Sequence, residues 1–426
     1  MHPNIWHPFT QAKTAPEPLK VKSAQGIWLT LEDERQVMDC ISSWWVNTHG
    51  HAHPQIAEAI YQQALKMEHV IFGGFTHDPA EQFAEQLVPH LPPGLTRVFF
   101  SDNGSTSVEV ALKMAYQYWR NLHQPRSTFM AFDGGYHGDT FGTMAVGSRS
   151  IFSAVFRDML FEIEYVDFPA TYIGDAAAAQ TAATALEKIE SELKTQRDRY
   201  AGIIIEPLVQ GAGGMRMCRP DFLQGLRKLC DDYDVLLIFD EVMTGFGRTG
   251  HWFASDRAAI APDIMCLSKG ITGGFLPFAA TVCSEKIYAA FYSDDPLKTL
   301  YHGHSYTANP LGCAAAIASL KLMQENQPKF AAMEALHQQH CQQLIMHPRV
   351  EQLRIMGTIM AFDVVTPSKP GYLNTVGRQI RDQAIDRGLL LRPLGNVLYL
   401  LPPYCITEEE LAMVYQAITE ILDGLA

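Results

Sequence analysis

The sequence of 426 residues has few cysteines, no run rich in lysine or arginine, and no long apolar segment. Its eight cysteines are scattered and never form a C-x-x-C pair, so neither a disulfide framework nor a zinc site is indicated. A net charge of -13 without a basic cluster argues against nucleic-acid binding. No apolar run approaches the roughly 20 residues of a bilayer crossing, and the first residues lack the apolar stretch of a signal peptide. We therefore expect no membrane partner and a cytoplasmic location.

What the sequence does contain is an alternation of short apolar runs and helical segments. The apolar runs are 97–100, 127–132, 202–207, 235–240, 263–268 and 278–283. They are almost continuously apolar, which indicates strands covered on both faces, as in a mainly parallel sheet. The segment 107–118 between the first two runs has its apolar residues on one helical stripe. The pattern predicts an α/β domain.

The pattern changes near residue 312. A long helix is predicted over 312–346, followed by strand-like pieces and by a helix that begins near Thr407, where TEEE forms a capping-box start. These elements predict a smaller α+β domain. We accordingly divide the chain into an N-terminal segment, 1–50, that packs with the small domain, a large domain, 51–311, and the small domain itself, 312–426.

Two charged residues stand at the ends of predicted strands. Asp240 ends the run VLLIFD, and Lys269 follows the run DIMCLS, just before a glycine. Ligands of open α/β sheets bind at this end of the strands. An acid and a lysine there suit pyridoxal 5'-phosphate (PLP), whose aldehyde forms an imine with an amine and whose pyridine nitrogen is kept protonated by a carboxylate. Singly, Asp240 could be a capping acid and Lys269 a solvated lysine; together they favour the cofactor, because burial of an unpaired ammonium is costly.

Two turns fit the same cofactor. In SDNGSTSVEVALKMA, Gly104 and Ser105 open a helix, whose free N–H groups and dipole favour a phosphate, although such residues are also ordinary helix caps. In FDGGYHGDTFG, Tyr136 follows a strand end and could stack on a flat ring, or it could be a core tyrosine in a turn. Neither G-x-x-x-x-G-K-[ST] nor a strand-following G-x-G-x-x-G is present, which argues against nucleoside triphosphates and dinucleotides.

The GS turn, the YHG sequence, DEVMTGFGRTG and SKG occur in an order that resembles the class III, fold-type I PLP-dependent aminotransferases. The resemblance covers essentially the whole chain. It implies the PLP-dependent transferase fold type I, in which a large domain with a mainly parallel, seven-stranded sheet is joined to a small α+β domain. It also implies PLP as the cofactor and a homodimer with its active site at the subunit interface.

The resemblance implies a role for each matching residue. Lys269 holds PLP as a Schiff base and is the catalytic residue that moves the proton. The implied cofactor-binding residues are Gly104, Ser105, Tyr136, Asp240 and Lys269, together with His304 and Ser305 contributed by the other subunit. The implied substrate-binding residues are Phe9, Trp44, Tyr136, Lys269, Gly303 and Arg392. Glu206 and Arg248 are implied to position these residues without contacting the ligand themselves, and no metal is implied.

Within the family, the segments ISSWWVNTHGHAHP and LRPLGNVLYLLPPY are similar to those of biotin-pathway members. This implies ping-pong amination of 8-amino-7-oxononanoate to 7,8-diaminononanoate, and aromatic walls with one guanidinium suit such a long-chain carboxylate. Members that use S-adenosylmethionine commonly have tyrosine after the opening HP, whereas lysine-using members have phenylalanine. This chain has Phe9 there, so both donors stay open.

Other interpretations share part of this evidence. Another ω-aminotransferase, acting on a diamine, ornithine or 4-aminobutyrate, would have the same cofactor motifs. A non-catalytic PLP-binding paralogue is disfavoured by the intact Asp240 and Lys269. A metal-dependent hydrolase is suggested by the histidines at positions 49, 51, 53 and 137, but no H-E-x-x-H or equivalent ligand spacing is present.

Overall fold

The computed structural model describes residues 2–425, and Met1 and Ala426 lie outside the described residues. The strands are β1 Val21–Gln25, β2 Trp28–Leu31, β3 Gln36–Asp39, β4 Leu95–Ser101, β5 Thr128–Phe132, β6 Glu164–Val166, β7 Tyr200–Ile205, β8 Val209–Gln210, β9 Arg216–Met217, β10 Leu236–Asp240, β11 Ile264–Leu267, β12 Ala279–Ser284, β13 Val350–Met356, β14 Ile359–Val364, β15 Leu389–Leu390 and β16 Val397–Leu400. The helices are α1 Ser42–Trp45, α2 Pro54–Lys66, α3 Asp78–Leu87, α4 Gly104–Asn121, α5 Phe141–Val146, α6 Ala178–Gln196, α7 Pro220–Asp232, α8 Ala254–Ala258, α9 Glu285–Ala289, α10 Pro310–His340, α11 Gln342–Ile345, α12 Val376–Asp386 and α13 Glu408–Asp423.

The largest sheet has seven strands in the order β4-β12-β11-β10-β7-β5-β6. Strands β11, β10, β7, β5 and β6 run parallel to one another, and β12 runs antiparallel to both β11 and β4. All six apolar runs of the sequence form strands of this sheet, which confirms the predicted α/β class and the mainly parallel arrangement. The short strand β6 was not predicted.

Both faces of this sheet are covered by helices. Ile204 and Ile238 belong to the core on the α4 side, whereas Ile203 and Leu237 belong to the core that also contains residues of α6 and α7. Every residue of β7, β10 and β11 is buried. Because side chains alternate between the two faces of a strand, a sheet buried on both sides needs the nearly continuous apolar sequence observed here.

Helix α4 begins at the turn predicted to bind phosphate. The Asn103 side chain accepts a hydrogen bond from the Thr106 N–H at 3.0 Å, and the Thr106 hydroxyl lies 3.2 Å from the Asn103 nitrogen, which forms a capping box. The helix packs against β7, β11 and β12. This packing places the N-terminal end of the 18-residue helix at the edge of the sheet where the strands end.

Three smaller sheets accompany the large one, with strand orders β1-β2-β3-β15, β13-β14-β16 and β8-β9. Strand β3 pairs in parallel with β15, with Met38 opposite Leu389, so the N-terminal segment shares a sheet with the last part of the chain. The division of the chain into an N-terminal segment, a large domain and a small domain stays a prediction. The predicted helix over 312–346 is wrong in one detail, because α10 ends at His340 and α11 follows it as a separate turn. None of the helices in residues 2–425 is long and apolar enough to span a membrane.

Candidate active site

The carboxyl ends of β7, β10 and β11 and the start of α4 open on a cavity of about 530 Å³. The predicted site residues that line it are Phe9, Trp44, Gly104, Ser105, Tyr136, Glu206, Asp240, Lys269 and Arg392. These residues come from distant parts of the chain, and the fold brings them to one edge of the sheet. This is the position at which open α/β sheets bind their ligands.

Lys269 follows β11 after one intervening residue, Ser268, and begins a short 3₁₀ turn, Lys269–Thr272. Its φ of 48° is in the left-handed region, which is costly for a residue with a side chain and is often found at functional sites. Burial lowers the pKa of Lys269, while the charges of Asp240 and Glu206 act in the opposite direction. A lowered pKa increases the fraction of neutral amine, which is the nucleophilic form.

Asp240 is bound on one side by a histidine. Its Oδ2 lies 2.7 Å from Nδ1 of His137, and its Oδ1 accepts a hydrogen bond from the Val242 N–H at 3.1 Å. Both partners of the pair are only 4% exposed. Burial by itself lowers the pKa of His137, but the hydrogen bond and the charge of Asp240 outweigh burial, so the pKa is raised. The pair therefore consists of a buried acidic side chain and a histidine whose pKa is above its ordinary value.

His137 was not predicted as the partner of Asp240. The two residues are 103 positions apart, and the sequence motif YHG drew attention to the tyrosine. The available signal was the position of His137 beside Tyr136, at the end of β5, which lies in the same sheet as β10.

Two glycines allow a close approach of backbone segments around Ser105. A Cβ atom on Gly104 would lie 2.6 Å from Cγ1 of Val242, and one on Gly138 would lie 2.1 Å from Oγ of Ser105. The Asp139 N–H donates a hydrogen bond to the same Oγ at 3.3 Å. Glycine at both positions thus allows tight packing around the N-terminus of α4, whose free N–H groups can bind an anion.

Tyr136 is held by Glu206, which lies just after β7. The Tyr136 N–H donates to Oε2 of Glu206 at 3.0 Å, and the Gly211 N–H donates to Oε1 at 3.0 Å. Burial raises the pKa of Glu206 to about 7, although the nearby His137 acts in the opposite direction. Burial also raises the pKa of Tyr136. The carboxyl group of Glu206 therefore fixes the backbone that presents the Tyr136 ring to the cavity.

The outer wall of the cavity is aromatic. The ring of Trp44 lies 5.6 Å from that of Phe9, which in turn lies 5.9 Å from that of Phe152. The guanidinium of Arg392 lies 4.6 Å from the centre of the Trp44 ring. Deeper in the cavity, the Trp45 indole N–H donates to the Tyr399 hydroxyl at 3.0 Å, and the Trp45 ring centre lies 5.1 Å from Nζ of Lys269. The wall is therefore mostly apolar, with the guanidinium of Arg392 beside the Trp44 ring.

Four predicted residues do not line this cavity. Gly303, His304 and Ser305 lie on the segment before α10, and the cavity of their own chain does not include them. Arg248 is buried and donates to the carbonyl oxygens of Trp45 at 3.2 Å and Pro402 at 3.0 Å. It contacts the cavity wall through the backbone of Trp45, and its supporting role stays a prediction.

No group of three or more histidine, cysteine or acidic side chains with the geometry of a metal site occurs in residues 2–425. Two of the histidines considered as metal ligands have other partners. His49 contacts Oγ of Ser319 at 3.1 Å, and His51 contacts Oδ2 of Asp39 at 2.9 Å.

The chain matches a known family along nearly its whole length. Residues 9–422 match the class III aminotransferases. The chain belongs to this family. A curated relative from Synechococcus elongatus, adenosylmethionine-8-amino-7-oxononanoate aminotransferase, is 58% identical over 100% of this chain and 99% of its own length. A relative of the same name from Geobacter sulfurreducens is 42% identical over 96% of this chain and 93% of its own length.

Solved structures of aminotransferases have the same fold. The crystal structure of adenosylmethionine-8-amino-7-oxononanoate aminotransferase from Methanocaldococcus jannaschii superposes with a TM-score of 0.91 at 34% identity, covering 99% of this chain and 97% of that one. A PLP-bound amine transaminase from an uncultivated Pseudomonas species superposes with a TM-score of 0.92 at 30% identity, covering 99% of both chains. These likenesses confirm the predicted fold type I of PLP-dependent transferases.

The substitution Asp240→Asn is expected to lower the pKa of His137, because the charge that opposes burial is removed. In the native chain the raised pKa of His137 contributes stability that is fully present below its unfolded value of about 6.5 and is lost as the pH rises through the raised pKa. The variant should therefore lose most stability at low pH. NMR titration of the histidine ring protons in cofactor-free protein measures the pKa directly.

The buried His337 is the internal control for this titration. Burial lowers its pKa to about 4, and its Nδ1 lies 2.8 Å from the hydroxyl of Tyr415, so Asp240→Asn should leave its titration unchanged. An unchanged or raised pKa of His137 in the variant would contradict the described pairing.

Proposed function

We propose that this class III aminotransferase transfers an amino group to 8-amino-7-oxononanoate, giving 7,8-diaminononanoate in biotin biosynthesis. The observation that carries the proposal is the 58% identity, across the whole chain, to a relative named for this reaction. The cavity supports it, since its aromatic wall and the guanidinium of Arg392 suit a long apolar chain that ends in a carboxylate.

PLP is the proposed cofactor, and the residues of the cavity fit it. The glycine-lined N-terminus of α4 suits a phosphate, the buried Asp240 suits a protonated ring nitrogen, and Lys269 is a buried amine with a lowered pKa. When bound, PLP supplies an electron sink for the negative charge that develops at the substrate carbon.

Each surrounding residue has a proposed task. Lys269 holds the cofactor covalently, and its neutral amine, once free, moves a proton at the substrate carbon that bears the amino group. The contact with His137 holds the Asp240 side chain in its orientation beside the cavity. Tyr136 stacks on the cofactor ring, with its backbone held by Glu206. Because one site serves donor and acceptor in turn, the kinetics are expected to be ping-pong.

The substrate-binding residues are proposed to act along the aromatic wall. Arg392 binds the terminal carboxylate through its fork of N–H donors, and Trp44 and Phe9 contact the chain. The end of the substrate that carries the reacting carbonyl then lies near Lys269. This arrangement places the carboxylate of the substrate at the mouth of the cavity and its reacting carbon deep inside.

A homodimer is proposed to complete the site. Gly303, His304 and Ser305 lie outside their own chain's cavity, and the neighbouring Tyr301 and Tyr306 are 74% and 62% exposed. Large exposed aromatic side chains are enriched at protein interfaces. We propose that this segment of each subunit reaches the other's phosphate and substrate sites.

The eight cysteines are free thiols, which suits the proposed cytoplasmic location.

The assay that tests the function combines the purified holoenzyme with 8-amino-7-oxononanoate and each candidate donor, and identifies the product by mass. We expect 7,8-diaminononanoate with S-adenosylmethionine or lysine, and a loss of about a thousandfold or more in Lys269→Ala. Lys228→Ala is the matched control, because Lys228 is an exposed lysine paired with Asp232 on α7. Amination only with ornithine, a diamine or 4-aminobutyrate, and no reaction of the long-chain acid, would contradict the proposal.

The amino donor is tested by Phe9→Tyr. We expect the ratio of activity with S-adenosylmethionine to activity with lysine to rise about three- to tenfold, because the added hydroxyl supplies one hydrogen-bonding group at the mouth of the cavity. Phe141→Tyr adds the same hydroxyl to an exposed ring that does not line the cavity and should leave the ratio unchanged. An equal ratio in native protein and Phe9→Tyr would remove Phe9 as a determinant of the donor.

A further inference from the structure

The backbone that carries the two cavity tryptophans has an unusual conformation. Within α1, the residues Ser42, Ser43 and Trp45 have φ angles of 52°, 57° and 66°. Side chains of L-residues disfavour this left-handed region, and none of the three is glycine. Ser43, Trp44 and Trp45 line the cavity, so the shape of its wall depends on contacts that hold this segment in place.

Asp39 makes the contacts at the centre of the segment. It is the last residue of β3 and has no exposed surface. Its Oδ1 accepts a hydrogen bond from the Ile41 N–H at 3.2 Å, and its Oδ2 accepts one from the Ser43 hydroxyl at 2.8 Å. The same Oδ2 lies 2.9 Å from Nε2 of His51. Asp39 itself does not line the cavity.

His51 is in turn fixed by the backbone. Its N–H donates to the Gly26 carbonyl at 2.7 Å, and its carbonyl accepts from the Gly26 N–H at 3.1 Å. The Asn47 amide lies 3.0 Å from Nδ1 of His51. Asp39 and His51 therefore form a rigid support between the first sheet and the wall of the cavity.

The other contacts of the segment lie on either side of Ser43. The Ser42 hydroxyl donates to the Leu401 carbonyl at 2.7 Å, and Arg248 donates to the Trp45 carbonyl at 3.2 Å. The strained turn at Ser43 is held by Asp39 and by a longer contact of 3.4 Å from Asn47. Removal of the Asp39 charge is therefore expected to weaken the contacts that hold the backbone at Ser43.

We propose that Asp39 is a positioning residue for the long apolar chain of the substrate, because through Ser43 it holds the backbone that orients Trp44, whereas Trp45, next to Lys269, is held separately by Tyr399 and Arg248. The inference rests on the proposed function, which supplies the long-chain substrate. Asp39 acts on substrate binding and leaves the proton transfer at Lys269 intact, because it touches neither the cavity nor Lys269.

The test is Asp39→Asn in the holoenzyme. Asparagine keeps the size and one acceptor oxygen of Asp39 but loses the charge that pairs with His51. We expect the KM for 8-amino-7-oxononanoate to rise about tenfold while kcat stays within about twofold, which is the signature of lost substrate binding. The affinity for nonanoate, a long-chain carboxylate without the reacting groups, should fall by a similar factor in calorimetric titration.

Glu334→Gln is the matched control. Glu334 on α10 also holds a backbone N–H, that of Gly357 at 2.7 Å, and a cation, Arg257, but it does not line the cavity. It should leave KM and nonanoate affinity unchanged. Unchanged values in a folded Asp39→Asn protein, or an equal loss in Glu334→Gln, would overturn the inference.

A second variant covers a failure of Asp39→Asn to fold. His51→Gln removes the partner of Asp39 and should weaken nonanoate binding in the same direction by about threefold; unchanged binding would also overturn the inference. If the native enzyme binds nonanoate but does not aminate the keto acid, the proposed function fails, and the nonanoate comparison still decides the role of Asp39.

Discussion

We propose that the chemistry of this protein depends on a buried pair, Asp240 and His137, where the parallel strands of the sheet end. A carboxylate with so little exposed surface is stable as a charge only beside a partner, and His137 supplies one at 2.7 Å. The second oxygen of Asp240 accepts from the chain's own backbone at Val242. With both oxygens fixed in this way, Asp240 presents a defined charge to the cavity. Lys269, whose amine is affected by that charge, stands at the end of the adjacent strand.

The fold provides this arrangement because neighbouring parallel strands end together. Strands β7, β10 and β11 bring Glu206, Asp240 and Lys269 to one edge, and helix α4 adds its N-terminus there. The apolar strand residues bury both faces of the sheet, so the polar groups are concentrated where the strands stop. The proposed substrate contacts come from elsewhere, namely from Trp44 in the N-terminal segment and from Arg392 between β15 and β16. In the function proposed above, the cofactor and the apolar chain of the substrate are therefore bound mainly by different parts of the chain.

The sequence predicted the large sheet well, since strands buried on both faces have nearly continuous apolar sequences that are easy to recognise. It missed β6, Glu164–Val166, because a strand of three residues with a charged first member has too little pattern. It predicted the helix start at Thr407, where the local capping box is visible in the sequence and is present in the structure. The break after α10 at His340 was missed because the sequence has no glycine or proline there.

The site residues also divide into those that a local sequence pattern reveals and those that only the tertiary structure reveals. Lys269 and Asp240 were accessible to sequence reasoning because each ends an apolar run, and nine predicted residues line one cavity. The pairs Asp240–His137 and Asp39–His51 were not, because a hydrogen bond between side chains depends on how elements are placed in space. The positive φ angles at Ser42, Ser43 and Trp45 have no glycine to announce them. Tertiary contacts, rather than local preference, determine that part of the wall.

The central claim, that Lys269 holds PLP beside Asp240, is tested most directly by reducing the holoenzyme with borohydride, digesting it and mapping the modified peptide by mass. The account predicts a phosphopyridoxyl group on Lys269 and on no other lysine. A modification at a different lysine, or none in a protein shown to contain stoichiometric PLP, would contradict it.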